Sequence, residues 1–296
     1  MKNMKKILVV GLMVSVLLTM AGCGKDEKLI KVGHKNYTEQ RVLGQMFSTM
    51  IEEHTDYKTT VTELGGTSIA FGALKSGDID LYPEYTGSAY SVVLKQDSLR
   101  DPDEVYNYCQ ERYNEQYNMV WLKSLGYNNT WTMTVRRQMA EELNLKTISD
   151  LVEQAPNLVM GAEMEFLERQ DGLPGLKEAY GMGSFKKEIG MDLGLTYAAL
   201  KDGEIDVNDS YGTDGRIKKF DFVPLIDDKQ FFLPYYISPL IKEEFMTKYP
   251  EAVEALNMLE DQFTDAEMQE LNLAVDEGGY VKTVVEDVLR EKGLIK

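Results

Sequence analysis

Tyr85, Trp131, Tyr211 and Tyr235 carry the most distinctive chemistry in this chain, because several of them fall at expected strand ends among polar neighbours, where core packing does not account for a large ring. The face of an aromatic ring is electron-rich. Several rings together can therefore enclose a cation, including a fully methylated nitrogen that has no hydrogen to donate. Each contact contributes roughly 0.5–1 kcal/mol when exposed and about 2 kcal/mol when water is excluded, so four rings suffice for micromolar-range binding. The same rings would also serve as a plain lining between two lobes, and periodicity does not separate the two readings.

Residues for covalent or metal chemistry are sparse. The chain has two histidines, His34 and His54, no Gly-x-Ser-x-Gly stretch and no cluster of cysteines and histidines with metal-ligand spacing. His54 ends a polar helical stretch and reads as exposed. His34 reads as a loop histidine with a structural hydrogen bond. Gly65-Gly66 precedes a helix, but no Gly-Lys-Ser/Thr follows, so a phosphate loop is not expected. Neither a metal nor another cofactor is implied.

The elements that must position the rings are announced by a repeat. Ala73-Leu-Lys-Ser-Gly-Asp-Ile-Asp80 returns as Ala199-Leu-Lys-Asp-Gly-Glu-Ile-Asp206, and Tyr85 and Tyr211 each stand twelve residues after the first alanine. Each copy reads as a helix end, a left-handed glycine cap and a short apolar strand running to a tyrosine. The repeat reads as two related lobes, with a shared packing unit or coincidence as the alternatives. Lys31 to Gly33 reads as a first strand, and Thr38 as the cap of a helix with Val42, Leu43, Met46, Phe47, Met50 and Ile51 at helical spacing. Thr59 to Leu64 reads as a strand, Thr67 as the cap of a helix through Lys75, and Ile79 to Tyr82 as a further parallel strand. Asp103 to Tyr117 is helical, Gly126 to Trp131 crosses to a second α/β unit, and Phe231 to Tyr235 leads back. Two crossovers without a flexible linker imply a hinge.

At the N-terminus, Lys2, Lys5 and Lys6 precede an apolar run from Ile7 to Met20, which is too short for a mature membrane span and reads as an export signal. Met20-Ala21-Gly22-Cys23 resembles the lipobox of bacterial lipoproteins, which makes Cys23 the acylated residue, with Lys25-Asp-Glu-Lys28 as a polar tether. Cys109 is then the remaining cysteine, so no intrachain disulfide is expected. Loss of the three leader lysines leaves 29 basic against 49 acidic side chains, a net of −20, which argues against nucleic acid and is compatible both with cationic ligands and with an ordinary solvated surface.

Gly33-His-Lys-Asn-Tyr-Thr-Glu39, Leu64-Gly-Gly-Thr67, Tyr82-Pro-Glu-Tyr-Thr-Gly87, Asn128-Asn-Thr130, Phe166-Leu-Glu-Arg169, Thr213-Asp-Gly-Arg-Ile217 and Asp227-Asp-Lys229 resemble the substrate-binding proteins of osmoprotectant ABC transporters, in consistent order from about Ile30 onward. The resemblance implies a two-lobed α/β fold of the type II periplasmic-binding-protein kind, a quaternary ammonium ligand such as glycine betaine, choline or carnitine, and no catalysis. It implies a cage of Tyr85, Trp131, Tyr211 and Tyr235. By position Lys35, Ser88 and Arg169 would hold a ligand carboxylate, with Asn129 as a polar contact beside the cage. The expected organisation is a leader over 1–22, a tether over 23–28, a first lobe from 29–128 and 233–296, and a second from 129–232. Expected partners are a permease with its ATPase, and the outer face of the membrane through the lipid anchor; the protein itself is expected to be a monomer.

Three departures bear on the ligand. Trp131 stands where tyrosine is usual, and Ser88 replaces a common threonine. Asn208-Asp209 replaces apolar residues, and an Asp209 facing the cleft would favour a net cation such as choline over a betaine. Rival readings are the same fold binding another small solute such as an amino acid, a lipoprotein that senses solutes without transporting them, and a surface hydrolase, which the missing nucleophile and base disfavour.

Overall fold

The computed structural model describes residues 29–296; the expected export signal, Cys23 and the expected tether lie outside the described residues. Strand β1 (Leu29–His34) pairs in parallel with β2 (Lys58–Glu63) and β3 (Leu81–Tyr85). β3 pairs antiparallel with β10 (Ile237–Lys242), and β10 with β4 (Met119–Trp121). In the second sheet β6 (Val159–Ala162) runs parallel to β7 (Lys187–Gly190) and β8 (Val207–Tyr211), β8 antiparallel to β5 (Trp131–Arg136), and β5 antiparallel to β9 (Phe222–Pro224). The orders β2-β1-β3-β10-β4 and β7-β6-β8-β5-β9 are one topology used twice. The repeat in the sequence is thus a repeat of architecture.

The matching is atomic. The helix Thr67–Ser76 ends on Gly77 at φ +86° and the helix Leu193–Asp202 on Gly203 at φ +77°, both left-handed caps that a side chain would strain. The following isoleucines do the same job in each lobe: a Cβ on Gly33 would lie 2.6 Å from Ile79 Cδ1, and one on Gly161 2.7 Å from Ile205 Cδ1. Ile79 therefore packs on the strand next door, and the strand itself begins later than the apolar run suggests, at Leu81.

Helix Thr38–His54 buries Val42, Leu43, Met46, Phe47, Met50 and Ile51 completely, as their spacing requires. Two expected caps are not caps. Tyr37 and Gly66 hold the N-cap positions, Thr38 Oγ1 donates to Asp276, and Thr67 Oγ1 accepts from Lys35. Long-range partners compete for these hydroxyls and win.

The chain leaves the first sheet after β4 and returns at β10, and the two crossing segments pair with each other. Asn128 bridges Tyr236, Asn129 N–H donates to the Tyr235 carbonyl at 3.1 Å, and Tyr235 N–H donates to Asn128 Oδ1 at 2.7 Å. Among the described residues no helix is long and apolar enough to cross a membrane. Cys109 is a free, buried thiol, pushed up by desolvation, with Sγ against the Thr86 carbonyl at 3.6 Å.

Candidate functional site

A cavity of about 620 Å³ lies between the lobes, and all eight residues expected from the sequence line it: Tyr85, Trp131, Tyr211, Tyr235, Lys35, Ser88, Arg169 and Asn129. Its volume falls within the roughly 300–1,000 Å³ common for small-molecule sites. Topology explains the convergence. Tyr85 and Tyr211 end the equivalent strands β3 and β8, while Trp131 and Tyr235 emerge from the paired crossing segments.

The rings form a continuous set. Trp131 lies 5.6 Å from Tyr235 and 6.3 Å from Tyr211, centroid to centroid, and is backed edge-on by Phe166 at 5.1 Å. Tyr37, which sequence reasoning missed, stacks on Tyr211 at 5.6 Å and on Tyr85 at 6.5 Å and also lines the cavity. The Arg169 guanidinium sits 4.6 Å from the Trp131 ring centroid, and Lys35 Nζ 5.1 Å from that of Tyr85.

Each hydroxyl of the cage tyrosines is tied to an acid. Tyr85 donates to Glu39 at 2.7 Å, Tyr211 to Glu163 at 2.7 Å and Tyr235 to Asp171 at 2.7 Å. Glu39 is a buried hub, accepting also from Tyr127 at 3.0 Å, Asn129 at 2.9 Å, Asn272 at 3.0 Å and the Thr213 hydroxyl. Burial raises its pKa although these donors pull it back. The Asn129 amide is thereby engaged on both sides, since its Oδ1 accepts from Thr213 N–H at 3.3 Å.

The basic residues are not free charges. Lys35 is buried, paired with Glu84 at 2.6 Å and bonded to Thr67 at 2.9 Å. Arg169 is held by Asp171, with Nε to Oδ1 at 2.9 Å, and by Glu165 at 3.0 Å. Burial alone would raise the Asp171 carboxyl; the Arg169 pair outweighs it and holds the pKa below the usual value. Asp171 also accepts from the Ser91 hydroxyl, eighty positions earlier in the chain.

Asp209 does not line the cleft. It is fully buried behind the wall and accepts the Glu163 backbone N–H at 3.2 Å, while Glu163 itself lines the cavity, as do Glu165 and Asp192. Burial raises both carboxyls, and their mutual repulsion raises Asp209 further; Glu163 is pushed up to about 7. Glu163 emerges as a repeat position only once the structure pairs Asp80 with Lys31 and Asp206 with Val159. It stands four residues after Val159, as Lys35 does after Lys31.

The histidines face elsewhere. His34 Nδ1 contacts the Lys35 carbonyl at 2.7 Å, with burial lowering its pKa, and the exposed His54 contacts the Leu294 carbonyl at 2.7 Å. Neither lines the cavity.

Two sheets of like topology, joined by two crossing segments and enclosing an aromatic cavity, define the class of two-lobed solute-binding proteins. Residues 28–291 match the family described as the substrate binding domain of the ABC-type glycine betaine transport system, and the chain belongs to that family. It is 34% identical over 289 residues to the glycine-betaine-binding protein of Pseudomonas aeruginosa, covering 94% of this chain and 92% of that one. It is 35% identical over 271 residues to the ergothioneine transport permease/ergothioneine binding protein EgtU of Helicobacter pylori, 91% of this chain but 48% of that one. The chain thus spans about half the length of that relative. A crystal structure described as a glycine betaine/carnitine/choline ABC transporter superposes with a TM-score of 0.76 at 30% identity, covering 90% of this chain and all of that one. These relatives are transport components, not enzymes.

Proposed function

We propose that this protein is the extracytoplasmic receptor of an ABC importer, anchored by an acylated Cys23, which captures a quaternary ammonium compound between its lobes and delivers it unchanged to a permease. The observation that carries this reading is the run of five rings, Tyr85, Tyr37, Tyr211, Trp131 and Tyr235, in the lining of one cavity. A fully methylated cation has no use for hydrogen-bond donors, and electron-rich faces in a site closed to water give it about 2 kcal/mol per ring. The relatives named for glycine betaine and ergothioneine support the ligand class, since both compounds carry a trimethylammonium group.

Tyr85, Trp131, Tyr211 and Tyr235 act as cage walls in this reading, with Tyr37 as a fifth. Arg169 orients a ligand carboxylate, assisted by Ser88, while Lys35 and Asn129 hold the rim in shape. The protein catalyses no reaction and works as a monomer. Its lobes are residues 29–128 with 233–296, and 129–232, hinged at the paired crossing segments.

Titration with glycine betaine, choline, carnitine, ergothioneine and arginine, followed by the fluorescence of Trp131 and by melting temperature, tests the reading. Saturable quenching and a raised melting temperature with trimethylammonium compounds, and none with arginine, are expected. Binding of arginine alone would overturn it.

A further inference from the structure

The two lobes present different charges to the cleft at matching positions. Lys31 and Val159 are equivalent, because each exchanges backbone and carboxylate hydrogen bonds with the repeat aspartate of its lobe. Gly33 and Gly161 then match, and so do Lys35 and Glu163, each just beyond a central strand. Counting from Asp80 and Asp206 in the same way, Glu84 matches Ser210.

That last substitution has an electrostatic consequence. Lys35 is neutralised by Glu84 at 2.6 Å, but Ser210 gives Glu163 no counter-charge and bonds instead to Asn208 at 3.2 Å. The guanidiniums nearest Glu163 are already bound, Arg169 to Asp171 and Glu165, and Arg216 to Asp214 and, at 3.4 Å, Asp276. Among the described residues Glu163 makes no ion pair, and its one side-chain partner is the Tyr211 hydroxyl on Oε2. Oε1 has no hydrogen-bond partner among the described residues, and Glu163 lines the cavity.

We propose, on the basis of the quaternary ammonium reading above, that Glu163 selects the ligand by accepting a hydrogen bond from a donor on it, a hydroxyl or a ring N–H, so that the cleft favours donor-bearing cationic compounds over those whose other polar group is a carboxylate alone. A carboxylate acceptor rewards such a donor and repels a ligand carboxylate at the same place. The groups facing Glu163 are Tyr211 and Asp209 on β8, Glu165 and Arg169 beyond β6, and Arg216 on the helix Gly215–Lys219.

The test measures choline and glycine betaine binding to the intact protein and to Glu163→Gln, which still accepts from Tyr211. A hydrogen bond to a charged group is worth about tenfold or more in affinity. The choline-to-betaine affinity ratio is therefore expected to fall about tenfold in the variant, mostly through lost choline binding. In the unmodified protein, choline affinity is expected to rise as Glu163 ionises between about pH 6 and about pH 8, with betaine affinity not rising; this second measurement does not depend on the variant's folding. An unchanged ratio in a variant of unchanged melting temperature, or choline binding flat with pH, would overturn the proposal while leaving the quaternary ammonium reading intact. If neither compound bound the unmodified protein, that reading would itself fail, and this one with it.

Discussion

Asp80 and Asp206 make the same pair of hydrogen bonds in different sheets. Asp80 Oδ2 accepts from Lys31 N–H at 2.8 Å while its own N–H donates to the Lys31 carbonyl at 2.7 Å; Asp206 does the same with Val159 at 2.9 and 2.8 Å. These bonds set the register between the central strand and the strand ending at a cage tyrosine. Asp80→Ala and Asp206→Ala should each cost about 1.5–3 kcal/mol of stability in chemical denaturation, the range for hydrogen bonds to a charged group. The Asp206 variant should lose more, because Arg136 also pairs with that carboxylate at 2.8 Å.

Removing the Glu39 carboxylate leaves donors from Tyr85, Tyr127, Asn129, Thr213 and Asn272 without their shared acceptor. Glu39→Ala should destabilise the protein by about 3–5 kcal/mol, since each buried unsatisfied donor costs about 1–3 kcal/mol and some find new partners. Glu39→Gln, which keeps an acceptor oxygen, should cost clearly less in the same melt.

Cage and carboxylate roles separate by ligand. Tyr211→Ala should weaken choline and glycine betaine alike, by about tenfold or more, through the lost ring face. Arg169→Ala should weaken glycine betaine far more than choline. Calorimetric titration showing equal losses for both ligands in both variants would contradict these assignments.

Gly87 lies against a cage ring. A Cβ there would approach three atoms of the Tyr235 ring to 2.7–2.8 Å, and the ring is pinned by its hydroxyl bond to Asp171. Gly87→Ala should therefore weaken binding of every trimethylammonium ligand by about tenfold through displacement of the ring, with a smaller effect on folding. Titration beside a melting curve distinguishes the two effects.

Glu163 also makes stability depend on pH. Its pKa is raised from 4.5 to about 7 on folding, so the folded state holds the proton more tightly than the unfolded chain does. The associated stability is present below the unfolded value and is lost as pH rises through about 7. The stability of the ligand-free protein minus that of Glu163→Gln should accordingly fall between about pH 5 and about pH 8, as measured by denaturation at each pH. A difference that stayed level would contradict the shift.

Much of the architecture was legible in the chain because it follows from local rules. Helical spacing from Val42 to Ile51 marked a buried face, and Gly77 and Gly203 marked left-handed caps. Thr147 closes a capping box with Asp150, as does Thr264 with Glu267, each a pattern contained in four consecutive residues. The repeated octet put Tyr85 and Tyr211 at equivalent strand ends, Trp131 and Tyr235 stood out as rings among polar neighbours, and the family resemblance supplied Lys35, Ser88, Arg169 and Asn129; all eight line one cavity.

Partnership across the fold was decided only in three dimensions. Thr38 and Thr67 look like caps because their neighbours suggest it, yet Asp276 and Lys35, brought near by packing, take their hydroxyls. Lys35 carries a positive charge in any reading of the chain, but Glu84, forty-nine residues away, cancels it. Periodicity reports which side of a helix or strand meets the core. It does not report which distant group lies opposite, and that is why the sequence did not show that Glu163 lines the cleft while Asp209 stays behind it.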